Sequence, residues 1–75
     1  MIEVLQDFLI RQGMATDLAE DIDIAYYNGQ TEQGEKDNVR KVVEDNMNDT
    51  EHDYIDEVFD LVRLWQYEVN EKVWA

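Results

Sequence analysis

In the last third of the chain Ile55, Val58, Phe59, Val62, Trp65, Val69 and Val73 recur at spacings of three and four, which in a helix draws one apolar stripe along one face. A strand would scatter the same side chains over both of its faces. The spacing therefore predicts one long helix from about Asn48 to Trp74, and the remaining residues have to cover it. Thr50 stands where an N-cap hydroxyl would accept a backbone N–H, with Glu51 and Asp53 at the positive end of the helix dipole. The opposite face, Asp49, Asp53, Asp56, Glu57 and Asp60, is acidic until Arg63. One side is expected to build a core and the other a negative surface.

The cover comes from three shorter segments. Ile2, Leu5 and Leu9, with Val4 and Phe8, predict a first helix that Gly13 ends in a left-handed conformation. A second helix is expected from Thr16, burying Leu18, Ile22, Ala25 and Tyr26 and ending at Asn28-Gly29. The alternation of Asp21-Ile22-Asp23-Ile24-Ala25-Tyr26 also fits a strand, but Gln30 to Asn38 holds no apolar run to pair back on it, so helix is favoured. Val39, Val42, Val43 and Met47 mark a third helix, which can begin as early as Thr31 with Gly34 as a weak point. No repeat and no low-complexity tract is read, and without proline the glycines and Asn/Asp clusters supply the punctuation. The expectation is a single acidic domain over residues 1–75, all-α, a small bundle of four helices (or three) with a long C-terminal helix. At 1.5 Å per residue that helix would be about 36 Å long and would span or overhang the molecule.

Size and charge bound the function. A chain of 75 residues buries only about 60% of its unfolded surface, so one thin core is expected. It has no cysteine to staple it, and a reducing compartment fits. No run approaches a membrane span, and the first residues lack the basic start of a secretory signal, so a cytoplasmic protein is expected. Nineteen acidic residues against six basic ones give a formal net charge of −13. That balance would suit a disordered chain, but 44% apolar residues at helical spacing predict a folded one. Such a body repels nucleic acid and anionic membrane, and its natural partner is a basic protein surface.

The bases are mostly tied down locally. Asp7–Arg11, Glu32–Lys36, Asp37–Lys41 and Glu68–Lys72 are acid-first i,i+4 pairs, worth about 0.2–0.5 kcal/mol each on an exposed helix. Two windows contain no base, Gln12 to Glu35 and Val42 to Val62, and they hold most of the acids. Carboxylates three or four residues apart on a helix stand about 5–6 Å from one another, a row of anions comparable to the phosphates of duplex DNA. A folded protein carrying such rows can occupy the nucleic-acid groove of a partner. The candidate rows are Asp49, Asp53, Asp56, Glu57 and Asp60, and Asp17, Glu20, Asp21 and Asp23.

Other chemistry finds little support. An EF-hand started at Asp45 puts Met47 at a ligand position and Thr50 where glycine is needed. Asp49, His52, Asp53 and Asp56 could adsorb a divalent ion weakly, but the single histidine excludes paired Glu-x-x-His metal sites. Neither Ser nor Cys is present, the three Thr suit caps and turns, and no phosphate-binding glycine loop exists. No catalysis, cofactor or metal is expected. Acyl carrier proteins share the size and acidity, but their Asp-Ser-Leu attachment site is reduced here to Thr16-Asp17-Leu18.

In size, acidity and aromatic content the chain resembles the small early proteins by which bacteriophages inhibit restriction, CRISPR or transcription machinery. Tyr26-Tyr27 after an acidic helix is similar to the Tyr-Tyr pair of nuclease immunity proteins, although the surrounding residues differ. The resemblance implies a non-catalytic, phage-encoded anti-restriction or anti-CRISPR inhibitor, a DNA mimic acting on a nuclease, effector or transcription protein. A second expectation rests on Leu61, Leu64, Trp65, Tyr67 and Trp74, which broaden the apolar surface of the last helix. They fit a core contacted from two sides, a homodimer seam, or the anchor of an adaptor module whose acidity serves solubility.

Overall fold

The computed structural model describes residues 3–46 and 52–75, with the backbone alone at 52 and 53. Within them the chain forms four helices and no strand: α1 (Leu5–Arg11), α2 (Thr16–Asn28), α3 (Glu32–Asn46) and α4 (His52–Glu68). The expected second helix is thus a helix and not a strand. Ile2, Met47, Asp49 and the proposed Thr50 cap lie outside the described residues.

Each boundary has a local cause. α1 closes in a Schellman motif: Gly13, at φ 99°, donates its N–H to the Ile10 carbonyl at 2.9 Å, and Met14 donates to Leu9 at 3.0 Å. α2 stops at Gly29, which lies so close to the first turn of α3 that a Cβ there would sit 2.5 Å from the Glu35 nitrogen. Thr31 caps α3, its Oγ1 accepting the Gly34 N–H at 3.0 Å, so α3 begins at Glu32, one residue after the earliest start expected.

α4 is the longest of the four, as expected, but it ends at Glu68 instead of running on to Trp74. Asn70 takes φ 64°, donating to the Tyr67 carbonyl, while Glu71 donates to Gln66 at 2.8 Å. This is the same Schellman stop with asparagine in the glycine's place, a substitution that the left-handed region tolerates. The helix is therefore about 25 Å long at 1.5 Å per residue, and the chain beyond it folds back as a strap. The Cα radius of gyration is 11.4 Å.

The core gathers Leu5, Phe8 and Leu9 of α1, Ala19, Ile22, Ala25 and Tyr26 of α2, Val39 and Val43 of α3, and Ile55, Val58, Phe59, Val62 and Trp65 of α4. Leu18 and Val69 contribute partly, and Val73 is exposed. Trp74 of the strap completes the core, with ring centroids 5.2 Å from Phe59 and 5.9 Å from Tyr26. Its backbone N–H donates to Gln66 Oε1 at 2.9 Å and its indole N–H to Glu35 Oε1 at 3.0 Å, while the Ala75 N–H reaches Glu32 and Lys36 reaches the Ala75 carbonyl. Burying an aromatic of roughly 150–250 Å² at about 25 cal/mol per Å² contributes about 4–6 kcal/mol, and four hydrogen bonds add about 2–6. Ordering five backbone residues costs about 5–10 kcal/mol. The strap therefore depends on every one of these contacts.

α1 and α3 each pack against both α2 and α4, whereas the backbones of α2 and α4 stay apart and the two helices meet only through core side chains, Tyr26 with Trp65 and Gln66. They stand at opposite corners of the bundle. α2 and α3 run antiparallel, since Asn38 donates to the Ala25 carbonyl at 3.2 Å and Asp21 and Asp45 share a groove. α3 and α4 do as well, with the Arg40 guanidinium over Phe59 and Glu44 beside Asp56. It follows that α2 and α4 point the same way.

Candidate protein-binding surface

On α2, Asp17, Glu20 and Asp21 are exposed. Asp23, three residues from Glu20, is half-buried and leaves that row by turning its carboxylate to α1. Its Oδ2 accepts the Gln6 N–H at 3.0 Å. Val4, the residue before α1, offers no side-chain cap, so Asp23 satisfies across the interface one of the amides that a helix start leaves open. It is a structural carboxylate, and the second row reduces to Asp17, Glu20 and Asp21.

On α4, Asp56, Glu57 and Asp60 are exposed, and Asp60 holds Arg63 at 3.0 Å. Asp53 lies on the same helix, its side chain outside the description, and Asp49 lies outside it altogether. The ion pairs among the described residues, Arg11–Glu3, Lys36–Glu32 and Arg63–Asp60, leave Asp17, Glu20, Asp21, Asp56 and Glu57 out. Only Glu32–Lys36 of the four expected i,i+4 pairs is among them. Arg11 turns to Glu3 instead of Asp7, Asp37 accepts from Gln33, and the stop at Asn70 removes the helical turn that would join Glu68 to Lys72.

The apolar surface expected on α4 is largely core. Trp65 is 1% exposed and Trp74 4%, and Leu61 is partly buried against the core. The Trp65 indole donates to the Glu3 carbonyl at 2.7 Å, and Trp74 is held as above. Leu64 and Tyr67 remain in solvent, at 46% and 77% exposure, and they continue the line of Glu57 and Asp60 along α4. The carboxylates and the apolar pair thus share one helix face.

Because α2 and α4 stand at opposite corners, their outward rows face away from each other, and α3 lies between them on one side. There a shallow groove of about 440 Å³ between α2 and α3 is edged by Asp21 and Asp45, with Ile24, Ala25 and Val42 in its floor and Lys41 beside them. A second, of about 350 Å³ between α3 and α4, is lined by Arg40, Glu44, Ile55 and Asp56. Glu44 and Asp45 lie in the base-free window but not in the predicted rows, and α3 makes them the link between Asp21 and Asp56. Their adjacency to those residues is tertiary and has no local signal.

Carboxylates held by cations or amides are set apart electrostatically. The Arg11 guanidinium, hydrogen-bonded to it, holds Glu3 below the usual range. Desolvation works to raise Glu32, but the Ala75 N–H and the Lys36 ammonium outweigh it and its carboxyl titrates low. Burial pushes the Tyr27 phenol up, helped by the Asp23 and Glu71 carboxylates. Among the described residues no three metal-ligating side chains converge, and no helix is long and apolar enough to cross a membrane. Comparison with protein-family models, with curated proteins and with solved structures finds no match to this chain.

Proposed function

We propose that the protein is a non-catalytic inhibitor that docks on the basic, nucleic-acid-binding surface of another protein, a nuclease, CRISPR effector, restriction enzyme or transcription protein. In this reading it is phage-encoded and works in the host cytoplasm. The observation that carries the reading is the outward set Asp17, Glu20, Asp21, Asp56 and Glu57: exposed, outside the ion pairs among the described residues, and carried on helices that fix their spacing. Fixed anions a helical turn apart meet Lys and Arg arranged for phosphates, and their binding gains from counterion release and steering.

The test is affinity capture by the tagged protein, washed at about 0.1 M and then about 0.5 M salt, where charge contacts are largely screened. A nucleic-acid-binding protein that leaves in the second wash or is displaced by DNA supports the proposal. It fails if converting Asp53, Asp56, Glu57 and Asp60 together to Asn or Gln leaves inhibition of that protein unchanged. The exposure of Leu64 and Tyr67 favours a second reading, an adaptor docking through apolar contact. In that case Leu64→Lys abolishes binding, and salt does not.

A further inference from the structure

The outward faces of α2 and α4 are the same face written twice. On α2 the solvent line is Asp17, Glu20, Ile24 and Tyr27; on α4 it is Glu57, Asp60, Leu64 and Tyr67. Each reads acid, acid, branched aliphatic, tyrosine, at steps of three, four and three, and a shift of 40 positions superposes them. The aliphatic and tyrosine members are exposed on both, Ile24 54% and Tyr27 59% against Leu64 46% and Tyr67 77%.

The equivalence extends inward. Ala19, Ile22, Ala25 and Tyr26 are buried on α2, and so at the same shift are Phe59, Val62, Trp65 and Gln66 on α4. The two helices run in the same direction at opposite corners of the bundle, the arrangement that a two-fold axis along the bundle would produce. At that axis equivalent positions should meet. Tyr26 and Gln66 do, the Gln66 amide donating to the Tyr26 hydroxyl at 3.2 Å.

We propose that the protein carries two copies of one docking element and takes two equivalents of a single partner element, one on α2 and one on α4. The occupant fitted by each face is a basic amphipathic segment: Arg or Lys one turn apart over the two carboxylates, then an apolar side chain against the aliphatic and tyrosine pair; on α4 its second cation replaces or shares Asp60 with Arg63, which holds that carboxylate at 3.0 Å. A second copy of this chain is disfavoured as occupant because its acids would meet acids at a net charge of −13. The inference rests on the carboxylate reading above and adds to it a stoichiometry and a tyrosine anchor, a residue type that dominates binding hot spots.

The probe is a synthetic helical peptide with two Arg one turn apart followed by Leu on the same face, with a scrambled peptide as control. It is titrated at low salt by calorimetry and by NMR of the labelled protein. Two equivalents, with shifts at Ile24 and Tyr27 and at Leu64 and Tyr67, support the proposal, as does a fall to one equivalent in each of Ile24→Glu/Tyr27→Glu and Leu64→Glu/Tyr67→Glu. These positions are exposed, and circular dichroism checks that the variants keep their helices. One equivalent in the unaltered protein, shifts confined to one helix, or self-association through Leu64 and Tyr67 overturns the duplication and leaves the carboxylate reading standing. No binding, or undiminished binding after Asp17, Glu20, Glu57 and Asp60 are neutralised together, overturns both.

Discussion

The carboxylates that hold the strap and those of the outer helix faces are the same functional groups put to opposite uses. Glu35 and Glu32 accept from Trp74 and Ala75, and Gln66 beside them is fully buried with both ends of its amide engaged. Asp17, Glu20, Asp56 and Glu57 are exposed and belong to none of the ion pairs among the described residues. The difference is one of desolvation. A polar group that loses water must find a partner inside the fold, whereas an exposed carboxylate keeps its water and remains available to a partner outside it. Stability should therefore be sensitive to the first set and nearly blind to the second, while partner binding should show the reverse.

The sharpest break in that contrast would come at Trp74. Trp74→Ala should cost about 3–5 kcal/mol, read as a lower urea midpoint, and should remove the strap from Gln66 and Glu35. Next comes Gln66→Leu, which keeps the volume but leaves the Trp74 N–H and the Tyr26 hydroxyl without partners; a loss of about 1–3 kcal/mol is expected. A midpoint equal to that of the unaltered protein would mean that the network contributes nothing.

pH sharpens the comparison further. Glu32 titrates below its ordinary value of 4.5, so its contacts stabilise the fold above that value and are lost as pH falls through the lower, folded-state one. The Trp74 indole N–H resonance should move in that acid range, and Glu32→Gln should suppress the Glu32-dependent part. Tyr26 is raised above 10.0, by burial first, against the opposing Gln66 hydrogen bond. The unfolded chain then gives up that proton before the folded one, and stability falls as pH climbs beyond about 10. Thermal melts of the unaltered protein and Tyr26→Phe should diverge there.

The smallest effect on stability belongs to the outer rows. Neutralising Asp56, Glu57 and Asp60 to Asn, Gln and Asn should change the folding free energy by no more than about 0.5 kcal/mol per site. The sign should be stabilising, since it relieves self-repulsion, while target binding is lost. A large loss of stability in this variant would place these carboxylates with the structural set.

Much of the fold is legible because it is local. The stripe of Ile55, Val58, Phe59, Val62 and Trp65 names its own core face, Gly13 its own turn, and Thr31 its own cap. The α4 row and its exposure follow from the same periodicity. What escapes is where one local signal overrules another. Asn70 stops a helix whose apolar spacing continues through Val73, and Asp23 sits in an acidic run but turns to α1. The matching of α2 to α4 is equally hidden, because it is a likeness of burial and side-chain class with tyrosine as its one identical outward residue.

The sequence by itself determined the helices of this protein, the acidity of their outer faces and the apolar positions that meet in the middle, because helical period and residue polarity act within a few turns of chain. Only the tertiary structure decided which carboxylates are consumed by the fold, which tryptophans are core, and that the two acidic faces look outward from opposite corners. Those outcomes depend on contacts between residues distant in sequence, Glu35 with Trp74, Gln6 with Asp23 and Tyr26 with Gln66. Desolvation at each of them is set by the packing of several helices at once.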